Sequence, residues 1–75
     1  MLEYGKKYRW EDIEKTYPDM YAIITNVKRK NYEIESCTLL EIVTFEEANA
    51  TIDKYQKLGI SYECRRTTFN EPNSI

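Results

Sequence analysis

Residues 20–27 (MYAIITNV) form the most apolar run of the chain, rich in β-branched and aromatic residues and free of glycine, and they predict a strand. Both alternating sets are apolar: Met20, Ala22 and Ile24 on one side, Tyr21, Ile23 and Val27 on the other. A strand apolar on both faces belongs in the middle of a sheet. Residues 28–31 (KRKN) break the pattern as a charged hairpin loop. The next run, 32–43, alternates less cleanly. Glu33, Glu35 and Glu41 share one parity with Cys37, Leu39 and Val43, while Ile34, Leu40 and Ile42 share the other, which predicts a bulge or register change.

Two helices flank these strands. Trp10, Ile13 and Tyr17 recur at helical spacing, with Glu11 and Asp12 in the first turn, where negative charge suits the helix dipole. Pro18 ends that helix, and Arg9 is a poor N-cap for it. The second helix opens on a capping box, Thr44-Phe-Glu-Glu47, continues with Phe45, Ala48, Ile52, Tyr55 and Leu58 as its apolar stripe, and stops at Gly59. Asp53 and Lys57 form an i,i+4 pair on it. Ile60, Tyr62 and Cys64 then alternate with Ser61, Glu63 and Arg65 as a last, half-buried strand.

The order is helix, strand, strand, helix, strand. It predicts an α+β fold: a short N-terminal helix followed by a ββαβ unit, forming one domain over residues 1–69, with a disordered tail at 70–75. Counting strands along the chain, the three-stranded antiparallel sheet is expected in the order 2-1-3, because 1-2-3 would centre the glutamate-rich second strand. Both helices are expected on one face. The other face then needs a cover, either the arm carrying Leu2, Tyr4 and Tyr8 or a second chain. In the latter case Tyr21, Ile23 and Val27 are the candidate partner interface.

With 75 residues, 41% apolar and 32% charged, the chain has a thin core. No stretch approaches the roughly 20 apolar residues of a membrane span, and the opening MLEYGKK lacks the features of a secretory signal, so a cytoplasmic protein is expected. In a reducing compartment Cys37 and Cys64 are expected as buried apolar residues, with a bridge or a reactive thiol as alternatives. Histidine is absent, which removes the commonest general base and metal ligand. Gly5 and Gly59 are too few for a phosphate-cradling loop, and Glu33/Glu35 and Glu46/Glu47 are better placed on solvated faces than as catalytic pairs. No enzyme, cofactor or metal is expected.

The net charge of −2 hides an uneven distribution. Lys28, Arg29 and Lys30 of the hairpin and Lys54 and Lys57 of the second helix are expected together at one end of the sheet, a candidate contact for an anion or nucleic acid. Against that, a pI near 5.1 is low for a nucleic-acid-binding domain.

Trp10-Glu-Asp-Ile13, followed by Tyr17-Pro-Asp19 and a strand opening on Tyr21, resembles small uncharacterised proteins of Firmicutes and their mobile elements. These open on W-E-x-I, three residues and Y-P-[DN], and continue as a ββαβ unit whose last strand ends like residues 62–68 here. The resemblance covers about four-fifths of the chain. It implies a compact α+β protein of a Gram-positive bacterium or phage and carries no activity and no site residue. An acidic, histidine-free protein of this size from such a source is expected to bind other proteins. It would be an inhibitor of a host protein (anti-CRISPR proteins being one such class), an antitoxin or immunity-type partner, or a homodimeric accessory protein. The alternative from another class is a nucleic-acid-binding module using the basic end.

Overall fold

Pairing, rather than composition, makes the first element. In a computed structural model, which describes residues 1–67, Lys6–Arg9 form a strand, β1. The chain continues with α1 (Trp10–Thr16), β2 (Tyr21–Lys30), β3 (Glu33–Val43), α2 (Phe45–Leu58) and β4 (Glu63–Arg66). The strands join in one antiparallel sheet of order β1-β3-β2-β4. The fold is therefore α+β, with β2 between β3 and β4 as its two-sided apolar pattern requires. The sheet has four strands, not three, and the chain opens on a strand, not a helix. A four-residue KKYR segment carries no strand pattern of its own; it is extended because Lys6 to Arg9 pair with Leu39 to Ser36. The tail expected at 70–75 lies outside the described residues.

α1 leaves β1 directly from Arg9, which is extended and offers no side-chain cap, and it ends at Tyr17 just before Pro18. It turns Ile13 onto Ala22, Ile24, Cys37 and Leu39, all fully buried, with Trp10, Tyr17, Tyr8 and Leu2 packed around them. The amino-terminal arm is held by tyrosine hydroxyls: Leu2 N–H donates to Tyr17 at 3.2 Å and Glu3 N–H to Tyr8 at 2.8 Å.

α2 lies on the opposite face of the sheet, which corrects the expectation that both helices share one. Ile23 pairs with Glu41 and Cys64, and Tyr21 with Val43, on the face away from Ala22 and Ile24. There Tyr55 Oη donates to Glu41 at 3.0 Å, and the Phe45 ring stands 6.0 Å from that of Tyr21. The expected caps are present: Thr44 N–H donates to Glu47 Oε1 at 3.1 Å, and Gly59 takes the left-handed conformation at φ 71°. The inward residues of α2 are Ala48, Thr51 and Tyr55, whereas Phe45 and Leu58 of the expected stripe stay 72% and 62% exposed. The helix overhangs the small sheet at both ends, so only its middle is buried.

Three register shifts shape the long β2–β3 hairpin. The first passes over Leu40, so Leu39 and Ile42 both join Ala22 and Ile24 on the α1 side. The second surrounds Asn26, whose φ of 50° kinks β2 and turns Val27 from the Tyr21 and Ile23 side onto the α1 core. These are the irregularities that the imperfect alternation of 32–43 announces, though one of the three, at Asn26, falls on the other strand.

Candidate functional site

The bulges curl the end of the hairpin toward α1. Glu63 pairs with Ile24, five positions before Arg29, or about 17 Å of extended strand. Even so, Arg29 Nη2 reaches both Glu63 carboxylate oxygens at 2.7 Å. The hollow between the curled hairpin, α1 and β4 is a cleft of about 680 Å³. Trp10, Glu11 and Glu14 line it from α1, Tyr32, Glu33 and Ile34 from the hairpin, and Cys64, Arg65 and Arg66 from β4. Half-buried Trp10 and Ile34 supply an apolar floor beneath charges of both signs. Some of those charges are committed within the protein. Arg66 is 2.6 Å from Asp19, and Lys15, hydrogen-bonded to Glu11 at 2.8 Å, holds the Glu11 carboxyl below the usual carboxylate range.

Tyr32 stands at the mouth of this cleft. Lys30 pairs with Glu33, so the loop is two residues, Asn31 and Tyr32, with φ of 54° and 68°. Positive φ at both positions is the type I′ arrangement, where asparagine is at home first and glycine second. A tyrosine at the second position is strained, and here it is 100% exposed. The expected four-residue loop at 28–31 is thus corrected: Lys28, Arg29 and Lys30 belong to β2.

The residues singled out from sequence are distributed differently. Ile23 is fully buried under α2, Tyr21 is half-buried beside Phe45, and Val27 packs on the other face, so these three do not form an open interface. The five cations do not gather at one end either. Lys54 Nζ sits 2.8 Å from Glu41, eight residues along β3 from the Glu33 that pairs with Lys30, and Lys57 is held at 2.9 Å by Asp53. α2 crosses the base of the sheet and ends well short of the hairpin tip. Trp10, Tyr32, Ile34 and Arg65 went unnoticed as site residues. The one signal for them in the sequence is an asparagine followed by a large residue where the turn demands glycine.

Cys37 and Cys64 are both free. They lie on opposite faces, Cys37 paired with Tyr8 on the α1 side and Cys64 with Ile23 on the α2 side, so no bridge joins them. Burial pushes the Cys37 thiol up to about 11 from an ordinary 9.0, and burial raises Cys64 as well. A thiol nucleophile requires the opposite shift. Near neutral pH, Cys37 should therefore resist a chromogenic disulfide reagent in the native protein, and both thiols should react at once in guanidinium chloride. Rapid native labelling of Cys37 would refute its burial. Its raised pKa also means that unfolding releases a proton once the pH exceeds about 9, so this group's contribution to stability is complete below that pH and falls above it.

Among the described residues no three metal-ligating side chains gather, and no helix is long and apolar enough to cross a membrane. Compared with models of known protein families, with curated proteins and with solved structures, the chain matches none.

Proposed function

We propose that the chain is a small non-catalytic protein-binding module that engages its partner through the hairpin tip and the cleft beside α1. An inhibitor or antitoxin-type partner encoded by a phage or mobile element of a Gram-positive bacterium is the reading in keeping with its motif, size and acidity. The observation that carries the proposal is Tyr32. A fully exposed aromatic ring held at φ 68° costs the fold stability and returns no internal contact. Exposed tyrosine and half-buried tryptophan around a cleft are the anchors on which protein interfaces concentrate their energy. The mixed charges of the rim suit a polypeptide surface better than a single small ion.

The Tyr32→Gly variant separates contact from fold. Relief of the left-handed strain should raise stability by about 1 kcal/mol in urea denaturation. Loss of an anchor should weaken partner binding about 30-fold or more. The partner is to be identified by affinity capture from a Gram-positive host with the native chain and its dissociation constant measured for both proteins. If Tyr32→Gly retains the native affinity, the tip is not the binding surface and the proposal fails.

A further inference from the structure

Beyond the cleft, the outer side of the hairpin presents a cationic surface that exists only because β1 pairs with β3. Arg9 of β1 and Lys28 of β2 are both register partners of Ser36, and the three therefore form one row across the sheet on the face away from α1. Lys7 pairs with Thr38 in the next row, and Lys30 pairs with Glu33 toward the tip. Arg9 and Lys28 thus stand about 10 Å apart, two strand spacings, with the shorter Ser36 between them, and Lys7 and Lys30 extend the two flanks by about 7 Å each. α2 covers the same face only around Ile23, Glu41 and Val43, leaving these four cations exposed. Among the described residues Lys7, Lys28 and Lys30 have no ion-pair partner; Arg9 has a loose one, Glu11 at 3.6 Å.

We propose that this face binds the phosphodiester backbone of a single-stranded nucleic acid. What lies between the cations decides the kind of partner. A protein interface needs an apolar or aromatic centre and is poor in lysine. This face is lysine-rich, and the residues between its cations are small and polar: Ser36, itself buried, and the half-buried Thr38, whose hydroxyl can add a hydrogen bond to a phosphate oxygen beside the stronger ones from the flanking ammonium groups. Six of the acidic residues are carried by the helices, Glu11, Asp12 and Glu14 by α1 and Glu46, Glu47 and Asp53 by α2, while Glu33 shares the row of Lys30 at the tip end of this face. The basic surface is built from Lys7 and Arg9 in place of Lys54 and Lys57.

The test is fluorescence anisotropy of a labelled oligothymidylate of about 12 nucleotides with the full chain. Four phosphate contacts predict an affinity loss of about 50-fold between 50 and 200 mM salt. The double variant Lys7→Glu/Lys28→Glu should lower affinity about tenfold or more, whereas Lys54→Glu/Lys57→Glu and Tyr32→Gly should leave it within about twofold. All of these side chains are exposed, and the milder pair Lys28→Gln/Lys30→Gln serves if circular dichroism shows the first double variant unfolded. Three results overturn the proposal: no binding at 50 mM salt, indifference to the Lys7 and Lys28 substitutions, or equal binding of a polyglutamate peptide, which would mark a surface for acidic protein. Because Tyr32→Gly is silent here and decisive for the cleft, the two readings fail independently.

Discussion

Ile24→Ala should remove about 3 kcal/mol of stability, the largest effect expected from any single truncation in this chain. Ile24 is fully buried within the core cluster on the α1 face. It pairs with Leu39 on one side and Glu63 on the other, and Ile13 packs in the same cluster. Truncation opens a cavity beneath a seven-residue helix that has no side-chain N-cap and cannot collapse without losing its contact with β3. Native domains have roughly 0.05–0.15 kcal/mol of stability per residue, so a chain of this length has about 4–11 kcal/mol in all. The loss is a large share of that total. Urea denaturation should show the midpoint falling with little change in slope. A cost below about 1 kcal/mol would mean that the core on this face is looser than the packing implies.

Thr67→Val should be nearly as damaging although it keeps the side-chain volume. Thr67 is fully buried, the last described residue after β4, and its hydroxyl is the knot of the turn between α1 and β2. It accepts from Met20 N–H at 2.9 Å and donates to the Tyr17 carbonyl. The backbone reinforces the junction, with Thr67 N–H donating to Met20 O and Asp19 N–H to Thr67 O, both at 2.7 Å. Valine leaves the part-buried Met20 N–H and Tyr17 carbonyl without that partner, at a cost of about 2 kcal/mol. Thr67→Ser retains the hydroxyl and should recover most of it. If valine and serine destabilise alike, shape rather than hydrogen bonding is what Thr67 supplies. Asp19, at φ 63°, and Arg66, paired with it at 2.6 Å, belong to the same junction, so hydrogen exchange at Met20 should accelerate in the valine variant.

Local chemistry was legible wherever it acts over a few residues. The capping box at Thr44 and Glu47, the glycine stop at Gly59, the proline stop at Pro18 and the Asp53–Lys57 pair all occur where their spacing placed them. Each depends on groups no more than four residues away. The two-sided apolar pattern of β2 likewise located it between two strands. The same pattern misled about covering. Apolar residues on both faces suggested one face left open, when in fact each face carries its own helix.

The candidate sites were much less legible, for reasons of distance. Arg9 and Lys28 share a row only through Ser36, and Trp10 and Ile34 share a cleft only because kinks at Asn26 and beyond bend the hairpin over α1. Lys54 and Lys57 do not join Lys28, because α2 meets β3 at Glu41, far along the strand from the hairpin tip. Tyr32 shows in the sequence only as a large residue after an asparagine, because its strain is a property of φ.

By itself the sequence determined the helix ends, the central strand and the α+β class, since these follow from caps, breakers and side-chain periodicity within a few residues. The tertiary structure decided that KKYR is a strand, that the helices lie on opposite faces, and which charges and aromatics stand together. A register shift of one residue turns every later side chain to the other face, and only the pairing partner sets that register.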